Sequence, residues 1–572
     1  MRRSLLLAII IGILKLNDAL RILVFFPISS KSHSILGYAA VDHLLKAGHE
    51  VVHITSFPRE TLNPNYTKVI DVSDVLRQAK AATLNNKEGY TIASQITRKL
   101  GSKDALYFAY ESHKRALDQP EVIQLLSDPS ERFDAVIVDW VFSDYVMGIA
   151  PLLQTHLIWL VTTDAYWEIL QLIDEIPNPA VYIDLFSNNV PPLSFWHRAK
   201  ELYNVIERCI FKSLWITPNE KASYYDQFGA MAKKRGVIMP AYEDALYNAS
   251  LMLLNTHPTI GTAFKLPQNA KCIAGYHISE YIPPLPKEFQ KIMDNAKHGV
   301  IYFSMGSNLR SMDMTAFMKT SLMNMFGQLK ETVIWKYESD WENIPSNVHL
   351  VKWAPQQSIL AHPNLKLFIS HGGQLSTIEA INFGVPIISI PVCGDQMVNS
   401  VTLKNKGYGI SVDLSETRLA SDLLAAINTM IANPQYQMKA KALSEAFHTR
   451  QQNPSEELVF WVEYIVKTGG AQFLRSPALS IPIYKKLYLD LIVLILICHY
   501  LLKKEIDKSE MISLSYSYSV TVNDALVVFF LGWLMNGLRL PVKRKRWIVP
   551  LNCFTTETRK IFFPYPNANV LI

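Results

Sequence analysis

Short runs of consecutive apolar residues alternate with longer amphipathic stretches along most of this chain. Near its start, residues 21–27 predict a buried strand, residues 34–47 a helix and residues 51–56 a second strand. Strands that are covered by helices on both faces are apolar throughout, so uninterrupted runs of this kind favour a parallel sheet. The chain therefore begins with a β–α–β unit, the building block of a doubly wound α/β domain.

The same pattern returns in the second half of the chain. Residues 365–370 predict a strand, residues 374–383 a helix that Gly384 ends, and residues 387–391 another strand. The sequence His-Gly-Gly at 371–373 separates the first strand from the helix. Ligands of such sheets bind at the carboxyl ends of the strands, where a helix amino terminus offers free N–H groups to an anion. This turn therefore predicts a phosphate site.

Polar residues surround the predicted phosphate site on both sides. An acid followed by an amide suits sugar hydroxyls, because a carboxylate accepts hydrogen bonds while an amide both accepts and donates them. Trp353 offers a flat apolar face on which a nucleobase can stack. The polar residues of this stretch are Gln356, His362, Ser376, Thr377, Glu379, Asp395 and Gln396. Partners for a phosphate, a base and a sugar within one unit indicate a nucleotide-sugar.

With these residues, the stretch from Trp353 to Gln396 resembles the signature of the UDP-glycosyltransferases. That signature begins with Trp-x-Pro-Gln, continues with His-x-Gly, Glu and Pro-x-x-x-x-Pro, and closes on Asp-Gln. The resemblance implies that Trp353 stacks on uracil and that Gln356 contacts the ribose or the base. The other implied roles are diphosphate binding by His371, Gly373 and Ser376, ribose binding by Glu379, and binding of the transferred sugar by Asp395 and Gln396.

One position departs from the family pattern. Leu375 stands where plant and vertebrate members carry Asn beside the phosphates. Invertebrate members are more similar to this chain, so the resemblance points to an insect-like, membrane-bound member of the family. We therefore expect donor binding to be intact.

The turn of the first β–α–β unit lacks the glycines of a dinucleotide-binding fingerprint but ends in a histidine, His33. A lone histidine at such a place is more often a helix cap or a surface residue. The segment FPISSKSH, however, resembles the one that in this family carries the base for the acceptor proton. Asp139, after the strand 135–138, matches the family pattern Phe-Asp-x-x-x-x-Asp and would hold the imidazole, with Asp134 and Asp144 as alternatives.

The middle of the chain is less informative. Residues 150–280 are rich in aromatic residues and irregular in pattern, and an acceptor pocket is expected there without any residue being singled out. A proline-rich segment, 282–286, predicts an interdomain linker, and 300–304 the first strand of a second sheet. Ser307, just after that strand, is predicted to reach the diphosphate.

Composition excludes several other classes of protein. The chain has 572 residues and a net charge of +6, and it carries no basic face interleaved with aromatics, which argues against nucleic-acid binding. Five cysteines without a Cys-x-x-Cys pair indicate neither a zinc site nor a dense disulfide framework. No Asp-x-Asp pair occurs, so we expect no metal at the site and no tightly bound cofactor.

The two ends of the chain predict targeting to a membrane. Residues 1–19 have the basic start and apolar run of a secretory signal peptide, and Asn65 and Asn248 stand in glycosylation sequons. Residues 487–502 form an apolar run followed by lysines, which favours a single-pass anchor over a buried core helix. We expect an endoplasmic reticulum membrane protein of type I with luminal catalytic domains. We assign no function to the tail, residues 503–572.

Together these patterns and the resemblance imply a GT-B fold, in which two facing Rossmann-like domains precede a transmembrane helix. The expected segments are a signal peptide at 1–19, an acceptor domain at 20–280, a UDP-sugar domain at 281–470, a juxtamembrane segment at 471–486, a transmembrane helix at 487–502 and a tail at 503–572. The expected reaction is inverting transfer of glucose or glucuronate from a UDP-sugar co-substrate to hydroxyls of small lipophilic acceptors, as in detoxification. The sequence leaves the oligomeric state open. One alternative is a catalytically inactive subunit that binds a UDP-sugar. The other is a nicotinamide oxidoreductase, against which the missing glycine fingerprint argues.

Overall fold

The computed structural model describes residues 19–60, 63–74, 77–78, 92–97, 101–174, 178–189, 191–263 and 265–512. The chain divides into two compact units, Met1–Ile481 and Pro482–Ile572. The predicted signal peptide, apart from Ala19, and the tail from 513 onward lie outside the described residues.

A sheet of seven parallel strands forms the first half of the larger unit. Its order is β3-β2-β1-β4-β5-β6-β7, so the direction of winding reverses between β1 and β4. The strands are β1 (Arg21–Phe26), β2 (Glu50–Thr55), β3 (Tyr66–Asp71), β4 (Ala135–Trp140), β5 (His156–Val161), β6 (Leu251–Leu254) and β7 (Ala270–Cys272). Such a reversal opens a crevice at the carboxyl ends of the two central strands.

A second parallel sheet, of six strands, has the order β10-β9-β8-β11-β12-β13. Here the reversal falls between β8 and β11. The strands are β8 (Val300–Ser304), β9 (Thr332–Lys336), β10 (Val348–Val351), β11 (Leu365–Ser370), β12 (Ile387–Ser389) and β13 (Gly409–Ser411). The predicted phosphate turn at 371–373 follows β11 and therefore lies at this second switch point.

Helices connect the strands of both sheets. Those before the second sheet are α1 (Lys31–Lys46), α2 (Ile92–Thr97), α3 (Ser102–Leu117), α4 (Pro120–Ser127), α5 (Ile149–Leu153), α6 (Trp167–Leu170), α7 (Phe195–Phe211), α8 (Thr217–Ser223), α9 (Gly229–Arg235), α10 (Tyr242–Leu246) and α11 (Lys287–Asp294). Those that follow are α12 (Ala316–Gly327), α13 (Gln356–Leu360), α14 (Gln374–Asn382), α15 (Gln396–Lys406), α16 (Leu419–Ala432), α17 (Gln435–His448) and α18 (Pro454–Lys467).

Both faces of each sheet are buried, as the uninterrupted apolar runs predict. In β1, Leu23 and Phe25 belong to one core cluster, while Val24 and Phe26 belong to another on the opposite face. Tyr302 and Phe303 in β8 divide between two further clusters in the same way. Successive side chains of a strand point to opposite faces, so this division requires helices on both sides of each sheet.

The region 150–280 is more regular than its sequence suggests. Two π-helical turns, Lys212–Ile216 and Tyr224–Phe228, join α7, α8 and α9 into one helical run. In α7 the buried residues are Glu201 and Arg208, whereas Trp196 is 77% exposed. Charged residues thus face inward and apolar residues outward, which reverses the pattern by which a helix is normally recognised in a sequence.

Helix α18 differs from the predicted domain limits. It belongs by sequence to the second domain, yet Leu458 and Val462 pack into the core cluster of β1 and α1. His49 Nε2 lies 3.1 Å from Oε1 of Glu463 on the same helix. The chain therefore returns to the first sheet before the larger unit ends.

Two boundaries near the first crevice also differ from expectation. Helix α1 begins at Lys31 rather than Ser34, because Ser30 keeps an extended backbone and serves as the N-cap residue. His33 consequently lies in the first helical turn and not in the loop before it. Strand β4 continues through Trp140, so Asp139 is part of the strand.

The smaller unit contains α19 (Ile483–Lys486) and α20 (Leu489–Ile512). The predicted transmembrane segment, 487–502, falls largely within α20. Among the described residues, however, no helix combines the length and the apolar character that crossing a membrane requires. The predicted transmembrane helix is therefore not confirmed.

Candidate active site

His33 and Asp139 form a close pair at the carboxyl ends of β1 and β4. Nδ1 of His33 lies 2.7 Å from Oδ2 of Asp139. The Asp139 side chain is 0% exposed, whereas that of His33 is 20% exposed. Because the two strands are neighbours at the switch point, residues 106 positions apart meet here. One side of the imidazole is thus fixed by a buried carboxylate.

The surroundings of His33 act on its pKa in opposite directions. Burial disfavours the charged imidazolium and lowers the pKa, but the charge and hydrogen bond of Asp139 raise it, and the net result is a pKa above the usual 6.5. The charge of Asp395, which follows β12 of the second sheet, contributes to the increase in the pKa.

His371, the first residue of the phosphate turn, is packed between two glycines. A Cβ atom added to Gly306 would lie 2.5 Å from its Cε1 atom, and one added to Gly373 would lie 2.5 Å from its Nε2 atom. Burial and the charge of Lys336 lower the pKa of His371 to about 4. The imidazole is therefore neutral at neutral pH and retains one N–H group for donation.

The amino terminus of α14 is held by residues that follow β12. Asp395 Oδ2 accepts hydrogen bonds from the backbone N–H of Gln374, at 3.1 Å, and from Asn399 Nδ2, at 2.9 Å. Asn399 also donates to the carbonyl of Gly372, at 3.0 Å. Gly372 has a φ of +80° and packs against Ser400, so a side chain there would be strained and crowded. These contacts fix the turn in front of the helix.

Glu379, on the inner face of α14, is surrounded by donors. Gln356 donates to it at 2.6 Å and Gln357 at 3.0 Å, and His277 Nε2 lies 3.6 Å away. Burial raises the pKa of Glu379, but these donors outweigh it and leave the pKa below its usual value. Gln356 also lies 3.4 Å from Ser376 Oγ. The sequence interpretation did not single out Gln357 or His277.

Trp353 is 52% exposed, so its indole is available to a ligand. The ammonium group of Lys31, from the first turn of α1, lies 3.3 Å from the centre of the indole ring. Ser307 belongs to the loop after β8 that carries Gly306, and Asn308 of that loop donates to Ser30 Oγ at 2.8 Å. Loops of the two halves therefore touch at the predicted base and phosphate sites.

Gln396 has a structural role that the sequence interpretation did not foresee. Its Oε1 atom accepts hydrogen bonds from the backbone N–H groups of Val392, at 2.8 Å, and Cys393, at 3.1 Å. The side chain is buried. The carbonyl end of this amide thus braces its own loop.

Aromatic side chains cluster beyond Asp139. Phe142 lies 5.7 Å from Trp140, 5.6 Å from Tyr166 and 6.0 Å from Phe186, measured between ring centroids. Phe142 has a φ of +50°, an uncommon backbone conformation for a bulky residue that recurs at functional sites. Val398, two residues beyond Gln396, packs against the core cluster to which Trp140 belongs. Phe142 and Phe186 are only partly buried, so part of this cluster is accessible.

Within the part of the chain that the structure describes, no group of three or more His, Cys, Asp or Glu residues could hold a metal ion.

Two parallel, Rossmann-like sheets within one unit form a GT-B fold, and solved structures agree in fold. Spinosyn forosaminyltransferase SpnP superposes with a TM-score of 0.51 at 15% identity, over 79% of this chain and 100% of that one. Arabidopsis thaliana UGT89C1, solved in complex with UDP-L-rhamnose, gives a TM-score of 0.50 at 13% identity, over 78% of this chain and 99% of that one.

Residues 21–521 match the family described as UDP-glucoronosyl and UDP-glucosyl transferase, and the chain belongs to this family. It is 31% identical to UDP-glucosyltransferase 2 of Dactylopius coccus, over 86% of this chain and 93% of that protein. It is also 31% identical to UDP-glucuronosyltransferase 3A1 of Bos taurus, over 56% and 61% respectively. The protein is an enzyme that transfers a sugar from a UDP-sugar co-substrate, as the sequence predicts.

Proposed function

We propose that this enzyme transfers a hexose from its UDP-sugar to a hydroxyl group of a small lipophilic acceptor, with inversion at the anomeric carbon. The observation that carries the proposal is the hydrogen bond of 2.7 Å between His33 and the buried Asp139. A histidine that a carboxylate holds on one side has its other ring nitrogen available to take a proton.

In this proposal His33 is the general base. Asp139 accepts the Nδ1–H group, so Nε2 is left as the proton acceptor for the acceptor hydroxyl. The hydroxyl oxygen then attacks the anomeric carbon while the bond from that carbon to the UDP oxygen breaks. Asp139 stabilises the imidazolium that forms, which agrees with the raised pKa of His33. A single displacement inverts the anomeric centre and needs no covalent sugar–enzyme intermediate.

The departing diphosphate is assigned to the turn before α14. Backbone N–H groups of the first turn of that helix beyond Gln374, whose own N–H donates to Asp395, and the neutral N–H of His371 would donate to its oxygens. Gly306 and Gly373 hold the His371 ring in place. Glu379, which already accepts from Gln356 and Gln357, is assigned to the ribose hydroxyls, Trp353 to the uracil, and Asp395 to the transferred sugar.

The lipophilic nature of the acceptor is inferred from the aromatic cluster at the end of β4. Phe142 and Phe186 are only partly buried. Phe142 lies against the rings of Trp140 and Tyr166, and Phe186 lies against Phe142. In this proposal a flat phenolic or polycyclic molecule stacks on these partly buried rings and presents its hydroxyl to His33. Conjugation of such molecules in detoxification is part of the proposal.

For the donor we propose UDP-glucose first and UDP-glucuronate second. The support is the similarity to a protein named UDP-glucosyltransferase over 93% of that protein's length, whereas the similarity to a UDP-glucuronosyltransferase spans 61% of its length. No described contact discriminates between the two sugars.

Placement in the endoplasmic reticulum membrane, with luminal catalytic domains, is also a proposal. The side chain of Asn248 is exposed, and that of Asn65 is partly exposed, so both sequons could be modified in the lumen. Digestion of the expressed protein with an N-glycan-removing enzyme tests this orientation. A mobility shift that Asn65→Gln and Asn248→Gln together abolish supports it, and the absence of any shift contradicts it.

Transfer assays with defined stereochemistry test the reaction. UDP-glucose or UDP-glucuronate would be supplied with a panel of phenols to the wild type, to His33→Ala and to a control, His197→Ala. His197 is an exposed histidine of α7. We expect a β-linked product from the α-linked donor, and a rate reduced about 10²- to 10⁴-fold in His33→Ala alone. A product with retained configuration, or full activity in His33→Ala, would refute the proposed mechanism.

A further inference from the structure

Lys31, in the first half of the unit, contacts a residue of the predicted nucleotide site in the second half. Its ammonium group lies 3.3 Å from the centre of the Trp353 indole, on which uracil is expected to stack. The ammonium group of Lys336 lies 5.6 Å from the centre of the same ring. Two cations therefore approach one aromatic ring, next to the loop that carries Gly306 and contacts His371.

The positive charge of Lys31 lacks compensation. Lys336 is hydrogen-bonded to Glu338 at 2.7 Å, but none of the described residues offers a carboxylate to Lys31. Lys31 is also the first residue of α1, whose first turn contains no acid, and the positive end of a helix dipole disfavours a cation there. Partial burial and the charge of Lys336 lower the pKa of Lys31. An uncompensated cation in a cleft is the arrangement expected where an anion binds.

We propose that Lys31 is a donor-binding residue: its ammonium group, which rests on Trp353 in the free enzyme, transfers to the diphosphate when the uracil of the donor stacks on the indole. This inference rests on the proposed assignment of Trp353 and His371 to the nucleotide. The exchange replaces a cation–π contact by a charge-assisted hydrogen bond, and the flexible lysine side chain permits the movement.

The exchange would connect donor binding with the position of the base. Lys31 and His33 occupy the same turn of α1, and the preceding Ser30 is hydrogen-bonded to Asn308 in the loop after β8. A diphosphate that draws Lys31 to the second half of the unit therefore also draws the turn that carries His33. The donor would complete the catalytic arrangement before the acceptor reacts.

Ligands that differ only in their phosphates separate this role from simple packing. Binding of uridine and of UDP would be measured by calorimetry on the purified full-length chain. The variants are Lys31→Met, which removes the charge at similar length, and Lys31→Arg, which keeps it. The control is Lys46→Met, at the other end of α1, where the lysine pairs with Glu280 on the surface.

For Lys31→Met we expect UDP to bind on the order of tenfold more weakly, the effect of losing one charge-assisted hydrogen bond. Uridine should bind as tightly as to the wild type or a few-fold more tightly, because no cation competes for the indole. Lys31→Arg should retain most of the UDP affinity, and Lys46→Met all of it. Unchanged UDP affinity in Lys31→Met, or an equal loss for uridine and UDP, would overturn the inference.

The proposed function fails in a different way. If the wild type bound no UDP, or if Trp353→Ala and His371→Ala left UDP affinity unchanged, the assignment of the nucleotide site would be wrong. If the wild type and those two variants behaved as expected and Lys31→Met did not, only the role of Lys31 would be wrong.

Discussion

Gly306 lies directly against the imidazole of His371, with no room between them for a side chain. A Cβ atom on Gly306 would meet Cε1, Nε2 and Nδ1 of the ring at 2.5, 2.9 and 3.0 Å. The glycine comes from the loop after β8, and the histidine from the turn after β11. Because β8 and β11 are neighbours at the switch point, one loop fixes the orientation of the imidazole that the other presents to the proposed diphosphate site.

We therefore predict that Gly306→Ala displaces His371 and weakens donor binding. The loss of a hydrogen bond to a phosphate should weaken UDP binding about tenfold. The matched control is Gly236→Ala, because Gly236 has a comparable φ of +69° against +87° for Gly306 but no neighbour within 4 Å of an added Cβ. Both variants should lose about 1 kcal/mol of folding stability from the left-handed backbone, and only Gly306→Ala should lose UDP affinity. Equal UDP affinity in both would contradict the role of the glycine.

Leu375 leads to a second prediction. It is the second residue of α14, and it packs against the core cluster that contains β1 and α18. We expect Leu375→Asn to lower the free energy of unfolding by about 1–2 kcal/mol, because a partly buried apolar contact is lost. UDP affinity should change by less than about threefold, since the backbone of the turn is held by Asp395 and Asn399. UDP binding that became tenfold tighter would show instead that the leucine displaces a phosphate contact.

The sequence predicts the strand, turn and helix of the proposed donor half because that half is continuous in the chain. Strand β11 and the start of α14 fall where the pattern places them, and the turn His371–Gly373 between them carries its chemistry within a few residues. The pairing of His33 with Asp139 was predicted by resemblance, and the structure brings the two together.

Other parts of the site could not be predicted, for physical reasons. His277 contacts Glu379, which is 102 positions away, and Lys31 contacts Trp353, which is 322 positions away. Nothing local in the sequence marks such contacts. The run from α7 to α9 was not recognised because its buried side carries charges. Gln396 was expected to face the sugar, whereas its carbonyl oxygen binds the backbone of its own loop.

The buried charges of α7 yield a stability prediction. Arg208 forms ion pairs with Glu168, at 2.9 Å, and with Asp184, and all three side chains are at most 3% exposed. Arg208→Met would leave two carboxylates buried without their cation, and we expect a loss of about 3–5 kcal/mol in the free energy of unfolding. Denaturant titration measures this loss. The control is Arg310→Met, in which an exposed arginine loses its pair with the partly buried Asp313, and there the loss should be about 0–1 kcal/mol. Similar losses in the two variants would contradict the importance of the buried cluster.

Metal independence remains a prediction from the sequence. The proposed mechanism assigns stabilisation of the diphosphate to the amino terminus of α14, His371 and Lys31, which together supply positive potential. We expect transfer activity to be unchanged after treatment with EDTA. Complete loss of turnover that Mn²⁺ or Mg²⁺ restores would contradict this expectation, and excess Ca²⁺-loaded EDTA controls for effects of the chelator itself.

The pH dependence of transfer tests the pairing of His33 with Asp139. A general base works only when it is deprotonated, so kcat/KM should rise with pH through the pKa of His33, which lies above 6.5 in the free enzyme. In Asp139→Asn the carboxylate charge is lost while burial of the imidazole remains, and burial is the largest influence on this pKa and lowers it. The midpoint of the acid limb should therefore move to lower pH. The plateau of kcat/KM should fall on the order of 10²-fold, because the imidazolium is no longer stabilised.

Asp134→Asn provides the control, since Asp134 accepts a hydrogen bond from the backbone of Arg21 and was an alternative partner from the sequence. An acid limb that stays in place in Asp139→Asn, or that moves in Asp134→Asn, would show that Asp139 does not hold the base.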